Sequence, residues 1–160
     1  MNPPDGFHPV LLGGAFATHN GPFYARWHDA HLQLGFRVGA QHVNPGNHCH
    51  GGMLATFADI LISTAAQYQA DIPRQFLPTI SLQVDFMAGA PLGSWVDGQA
   101  DVLQVTHRLV FSQGLVQADG RSVLRASGVF RRGPLLPDSE SDAWLQLPGL
   151  PPRATQGQSL

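Results

Sequence analysis

The pattern of apolar and polar positions divides the chain into a few clear elements. From Gly51 to Gln69 runs "GGMLATFADILISTAAQYQ", free of proline and rich in Ala, Leu and Met. It predicts a helix about 28 Å long at ~1.5 Å per residue. Met53, Leu54, Phe57, Ile60, Leu61, Ala65 and Tyr68 go most of the way round this helix, which is the pattern of a buried helix wrapped by strands. The strands come after it. "TISLQVDFM" alternates, with Ile80, Leu82, Val84 and Phe86 on one face and Thr79, Ser81, Gln83 and Asp85 on the other. "WVDGQADVLQV", "RLVFSQGLVQ" and "SVLRASGVFR" read as three more strands, and Asp119-Gly120 between the last two is a hairpin signal. Ahead of the helix, Leu32, Leu34, Phe36 and Val38 alternate as a strand, and Asn20 with Pro22 predicts the start of a helix within Asn20–Gln33. One long helix followed by antiparallel strands is α+β, a curved sheet round a central helix. Residues 1–19 read as an N-terminal extension, 20–132 as the folded domain, and 133–160 as a Pro-rich, mostly irregular tail pinned by Trp144 and Leu145.

Composition narrows the function. The 160 residues suit one domain with one core, and 43% of them are hydrophobic. Only 12% are charged, about half the usual share, so burial of surface between subunits is expected. A net charge of −2 argues against a nucleic-acid partner. All nine basic residues are Arg, which excludes a Schiff-base lysine and a P-loop lysine and leaves Arg for any phosphate. Cys49 is the only cysteine, and no signal peptide or membrane span is read, so a cytoplasmic protein is expected.

Asp59 stands out. It lies within "MLATFADILIS", and an ionised carboxylate among apolar side chains is costly without partners. Eight residues earlier the helix begins at His50-Gly51-Gly52. Its first N–H groups lack intrahelical acceptors, and the glycines let a ligand oxygen come close, as an oxyanion hole requires. Along one helix Gly51 and Asp59 are roughly 12 Å apart, too far to touch one carbonyl together. Either they serve different purposes, or a second subunit brings its Asp59 to the first subunit's Gly51. Two such helices packed antiparallel about a two-fold axis would form two equal sites. Asp59 could act as a general base on water or attack a carbonyl itself, with Thr79 and Asn44 orienting the groups. The competing structural explanation is a buried Asp held by neighbouring hydroxyl or backbone donors.

"HVNPGNHCHGGMLATFAD" resembles the signature of hotdog-fold acyl-CoA thioesterases of the PaaI-like group, which includes 4-hydroxybenzoyl-CoA thioesterases. The pattern is Asn, five residues, His-Gly-Gly, six residues, then Asp or Glu, and here it is met by Asn44, His50, Gly51, Gly52 and Asp59. "TISLQVDFMAGAP", "THRLVF" and "DGRSVLRASGVFRR" resemble later strands of the same family. The resemblance implies a hotdog fold and hydrolysis of an acyl-CoA, aromatic or medium-chain, with coenzyme A as part of the substrate and no separate cofactor. It makes Asp59 the base or nucleophile, assisted by Thr79. A backbone N–H of Gly51 or Gly52 would polarise the carbonyl, His50 would hold that turn, and Asn44 would position substrate or water. It implies a homodimer or homotetramer with sites shared between subunits. Met87 and Ala88 would line the pantetheine channel, and His107 and Arg108 would meet the phosphates. A hotdog hydratase acting on an enoyl thioester is the rival enzyme, and an acyl-CoA binding module the rival without turnover.

Other chemistry is poorly supported. His42, His48, Cys49 and His50 lack the paired spacing of a zinc site, so no metal is expected. His42 and His48 read as loop or surface residues, and Cys49 as a small packed side chain. No Gly-x-Ser-x-Gly is present; Ser63 and Ser81 read as buried hydroxyls beside the helix.

Overall fold

The computed structural model describes residues 2–136 and 147–151. Strand β1 (His8–Val10) and helix α1 (Gly14–Asn20) precede β2 (Phe23–His28) and β3 (His31–Arg37). A 3-10 turn (Ala40–His42) leads to α2 (Gly51–Gln69), followed by β4 (Thr79–Phe86), β5 (Trp95–Val105), β6 (Leu109–Ala118) and β7 (Arg121–Arg131). All seven strands form one antiparallel sheet in the order β1-β2-β3-β5-β6-β7-β4. The sheet curves around α2, which gives the expected hotdog architecture. The β6–β7 turn puts Asp119 and Gly120 both at positive φ, 49° and 79°, the conformation an Asp-Gly hairpin turn demands. Among the described residues no helix is long and apolar enough to cross a membrane.

Helix α2 occupies the predicted residues, but its burial is one-sided. Met53, Leu54, Phe57, Ala58, Leu61, Ile62, Ala65 and Ala66 are buried and form one face at helical spacing. The other face carries Ala55, Thr56, Asp59, Ile60, Ser63, Thr64 and Gln67, all only half-buried. The sheet of one chain thus covers half the circumference, and the helix is not wrapped all round as its composition predicts. Phe57 is the centre of the covered half: its ring packs at 5.0 Å from Phe36 and stacks at 6.3 Å on Phe23.

Two local expectations are corrected. Asn20 ends α1 rather than starting a helix, and the residues after Pro22 form β2. Capping signals are local, whereas Phe23, Ala25 and Trp27 alternate as a strand that pairs with β1 and β3 on its two sides. In β4 the alternation breaks near its start. The register slips between Thr79 and Ser81, so Thr79 pairs with Phe130 and Ser81 with Val129. Ile80 is the extra residue of a β-bulge, and a bulge re-aims its neighbours. Thr79 therefore shares the helix-facing side with Leu82, Val84 and Phe86, not the outer side with Ser81, Gln83 and Asp85. Ile80 is left 58% exposed.

The start of the tail is more ordered than its composition suggests. Leu135 bridges Gln75, and backbone hydrogen bonds join Phe76 to Pro134, Gly133 to Phe76 and Leu136 to Arg74. Leu147 is buried. Trp144 and Leu145 lie outside the described residues.

Candidate active site

The loop before α2 is a small closed hairpin. Val43 bridges Cys49, the His50 N–H donates to the His42 carbonyl at 2.7 Å, and the Cys49 N–H to the Ala90 carbonyl at 2.7 Å. Asn44 braces its tip, because its side-chain Oδ1 accepts from the N–H groups of Gly46 (2.9 Å) and His48 (3.3 Å). The loop delivers His50 to the N-cap of α2, where its Nδ1 accepts the Gly52 N–H at 2.9 Å. The Gly52 N–H is thereby spent, and Met53 and Leu54 both donate to the His50 carbonyl. The Gly51 N–H has no acceptor among the described residues. Of the two glycines expected to offer an oxyanion donor, Gly51 is the one with a donor to give. A Cβ on Gly52 would come within 3.0 Å of His50 Nδ1, so that position favours glycine on packing grounds as well, whereas one on Gly51 would make an ordinary contact 3.4 Å from the Phe86 ring.

Two turns further along, Asp59 sits on the uncovered face of α2. The Thr79 hydroxyl donates to Asp59 Oδ1 at 2.7 Å, a geometry the Ile80 bulge creates. One carboxylate oxygen is thus held by a short charge-assisted bond, and the other has no side-chain partner among the described residues. The Ser63 hydroxyl donates back to the Asp59 and Ile60 carbonyls at 2.7 and 3.2 Å, so it braces the helix and not the carboxylate. Ser81 is exposed on the outer face, not a buried hydroxyl.

The remaining candidates fall at the two ends of β4. Met87 and Ala88 follow Phe86, beside Gly51, and both donate to the Val123 carbonyl. His107 and Arg108 are exposed in the β5–β6 turn. There the Arg132 N–H donates to the Arg108 carbonyl at 2.8 Å and the Arg132 guanidinium to the Thr106 carbonyl at 3.1 Å. His107, Arg108, Arg131 and Arg132 therefore form one basic edge, and the Arg131 N–H donates to the Pro78 carbonyl next to Thr79. The pairing of β6 with β7 was the signal that could have gathered His107 and Arg108 with Arg131 and Arg132. Thr79 and Phe86 are about 23 Å apart along the strand at ~3.3 Å per residue. Within one chain, the Asp59–Thr79–arginine end and the Gly51–Phe86–Met87 end are separate.

The histidine-rich loop resolves into structural roles. His42 is buried, 3% exposed, not a surface residue. Its Nδ1 accepts the Gly39 N–H and its Nε2 donates to the Asn20 carbonyl, both at 3.0 Å. Burial lowers its pKa from the ordinary 6.5. His48 is an exposed loop residue whose ring nitrogen bonds the Gly46 carbonyl at 2.7 Å. Cys49 is buried, and burial pushes its thiol up to about 12, which makes it a poor nucleophile.

Comparison with known proteins agrees with this architecture. Residues 46–124 match the family model described as "Thioesterase superfamily". The Pseudomonas aeruginosa protein named "Putative esterase PA0474" is 34% identical over 132 residues, covering 81% of this chain and 97% of the relative. A Ralstonia eutropha structure described as "a putative thioesterase, phenylacetic acid degradation-related protein" superposes with a TM-score of 0.65 at 21% identity, covering 74% of this chain and 90% of that one. A Streptococcus pneumoniae structure described as a "Hypothetical Thioesterase Protein with Coenzyme A" gives a TM-score of 0.61 at 17% identity, covering 71% and 88%. The solved structures share the fold, and the relative matched over nearly its whole length extends the likeness to sequence: this chain belongs to the thioesterase superfamily, the hotdog-fold hydrolases of thioesters.

Proposed function

We propose that the protein hydrolyses an acyl-CoA to the free acid and coenzyme A, with coenzyme A entering only as part of the substrate. The bond from Thr79 to Asp59 carries this reading. It fixes one carboxylate oxygen and leaves the other to take a proton from water. The water oxygen then adds to the thioester carbonyl, and the Gly51 N–H stabilises the resulting oxyanion. Collapse breaks the C–S bond, and the CoA thiolate leaves and recovers the proton from Asp59. Asp59 can alternatively add to the carbonyl itself, with water resolving the anhydride. His50 holds the turn that presents Gly51. The Oδ1 of Asn44 is committed to the loop, so its amide nitrogen is the end that meets substrate or water.

One chain holds two half-sites, because Gly51 and Asp59 are about 12 Å apart along α2. The uncovered face of α2 and the β4 edge, where Ile80, Phe86 and Met87 are exposed, suit a second copy. Antiparallel packing of α2 on the partner's α2 puts Asp59 of each chain opposite the partner's Gly51. The Gly51-bearing chain then supplies Met87 and Ala88 to the pantetheine arm. The Asp59-bearing chain offers His107, Arg108 and the neighbouring Arg131 and Arg132 to the phosphates.

The test is thiol release from short, medium and aromatic acyl-CoAs, with Asp59→Ala and Asp59→Asn beside the wild type. Both variants should lose roughly 1000-fold in kcat. Wild-type turnover that survives either substitution refutes the role of Asp59. Water added across an enoyl thioester without thiol release would make the protein a hydratase.

A further inference from the structure

Phe86 is the last residue of β4 and stands on its helix-facing side with Leu82 and Val84. Two carbons of its ring, Cε1 and Cζ, lie 3.4 Å from the point where a Cβ on Gly51 would stand. For standard bond lengths that point is about 2.5 Å from the Gly51 nitrogen. In a helix the Cα–Cβ direction tilts toward the N-terminus, and the unspent N–H of the first turn points the same way. The ring therefore stands beside the Gly51 N–H, off the end of α2. An oxygen bonded to that N–H sits about 2.9 Å from the nitrogen, and its carbonyl carbon about 4 Å from it. A thioester held there lies within reach of the ring.

Phe86 is 53% exposed, whereas Leu124, its partner in register, is fully buried. A ring left half in water gains only part of what burial would give, so the core does not explain its place. The strand end that carries it is fixed all the same. Phe86 pairs with Leu124, and the N–H groups of Met87 and Ala88 both donate to the Val123 carbonyl. Backbone pairing, not burial of its own surface, holds the ring against Gly51. An N–H at a helix start is otherwise open to water, which competes with a carbonyl for it. Apolar carbon on one side removes that competitor and lowers the local dielectric. Both effects strengthen the bond to a developing oxyanion more than the bond to a neutral carbonyl.

We propose that Phe86 is a positioning residue of the oxyanion hole, its ring shielding the Gly51 N–H from water. The inference rests on the thioesterase reading above. It gives Phe86 a part in the transition state and none in recognising the acyl group. Apolar bulk, not aromaticity, is what the shield requires.

The experiment measures kcat and KM for acetyl-CoA, octanoyl-CoA and benzoyl-CoA in the wild type, Phe86→Leu and Phe86→Ala. Each is also made in a Gly51→Pro background, and sedimentation velocity follows the assembly of every variant. Phe86→Ala should lower kcat by ~10-fold on every substrate, a fraction of the ~100- to 1000-fold that losing the donor itself costs. KM should change little, the signature of an interaction made only in the transition state. Phe86→Leu should keep most of the turnover. With Gly51→Pro no N–H is left to shield, so Phe86→Ala should then cost less than ~2-fold, a non-additivity that a general loss of packing does not produce. No loss in Phe86→Ala, or an equal loss with and without Gly51→Pro, overturns the proposal. A loss confined to benzoyl-CoA and shared by Phe86→Leu makes the ring a stacking wall for the acyl group and overturns it too. So does a loss that follows dissociation and recovers at higher protein concentration, which makes Phe86 an interface residue. In each case thiol release by the wild type leaves the thioesterase reading standing, whereas a wild type inactive on every acyl-CoA overturns both.

Discussion

Gly39 offers a fixed N–H, and Asn20 a fixed carbonyl, to the two ring nitrogens of His42. His42 must therefore be neutral, with the proton on Nε2, and protonating Nδ1 would set one N–H against another. Burial lowers its pKa from 6.5, so the unfolded chain binds this proton more readily than the folded one. The stabilisation is full above pH 6.5 and is lost as pH falls through the depressed folded value. His31 runs the other way. The Asp29 carbonyl first, and Asp101 next, raise its pKa, so its contribution is present below pH 6.5 and fades as pH rises through the raised value. The drop in urea midpoint between about pH 7.5 and pH 5.5 should shrink in His42→Leu and deepen in His31→Leu. An unchanged drop in His42→Leu would show that His42 does not titrate with unfolding. This residue marks where reading a sequence stops. Asp59 and the His-Gly-Gly turn were legible because their spacing is local. His42 resembled any loop histidine, since the carbonyl that buries it is Asn20, 22 positions away.

At the scale of elements, α2 and the strands after it were readable because alternation and helical spacing leave a period in the chain. The Ile80 bulge leaves none. Strict alternation assigns Ile80 to the helix side and Thr79 to the outside, whereas the folded strand reverses them. The distinction can be tested without altering composition. Exchanging the two residues, Thr79→Ile with Ile80→Thr, moves the hydroxyl to the exposed bulge position and out of reach of Asp59. If the bulge is what orients the carboxylate, the exchange should lower kcat as far as Thr79→Val does, by roughly 10- to 100-fold for a lost bond to a charged group, and Thr79→Ser should retain most turnover. An exchanged variant as active as the wild type would mean that β4 shifts register freely or that the hydroxyl is not needed. The missed strand β2 teaches the converse. Asn20 and Pro22 are genuine punctuation, but they mark the end of one element and the gap before the next. Only pairing with β1 and β3 makes the stretch from Phe23 to His28 a strand.

At the scale of the whole molecule, the one-sided burial of α2, the exposed apolar edge of β4 and the sparse charge are aspects of one geometry. A chain whose sheet covers half its central helix leaves the other half, which bears Asp59, open to the second copy proposed above. The shared site makes a quantitative prediction that a self-contained site does not. Gly51→Pro removes the one unspent N–H at a first-turn position where proline is well tolerated, and Asp59→Ala removes the carboxylate. Each variant alone should be nearly inactive. After subunits exchange in an equal mixture, about half the dimers carry one chain of each kind, and each of these has one site that joins an intact Gly51 to an intact Asp59. Activity should return to about a quarter of the wild-type value, while a chain carrying both substitutions, mixed with either single variant, should restore none. If both half-sites acted within one chain, mixing would restore nothing in any combination. The recovered fraction therefore reads out directly whether Asp59 faces its own Gly51 or the partner's.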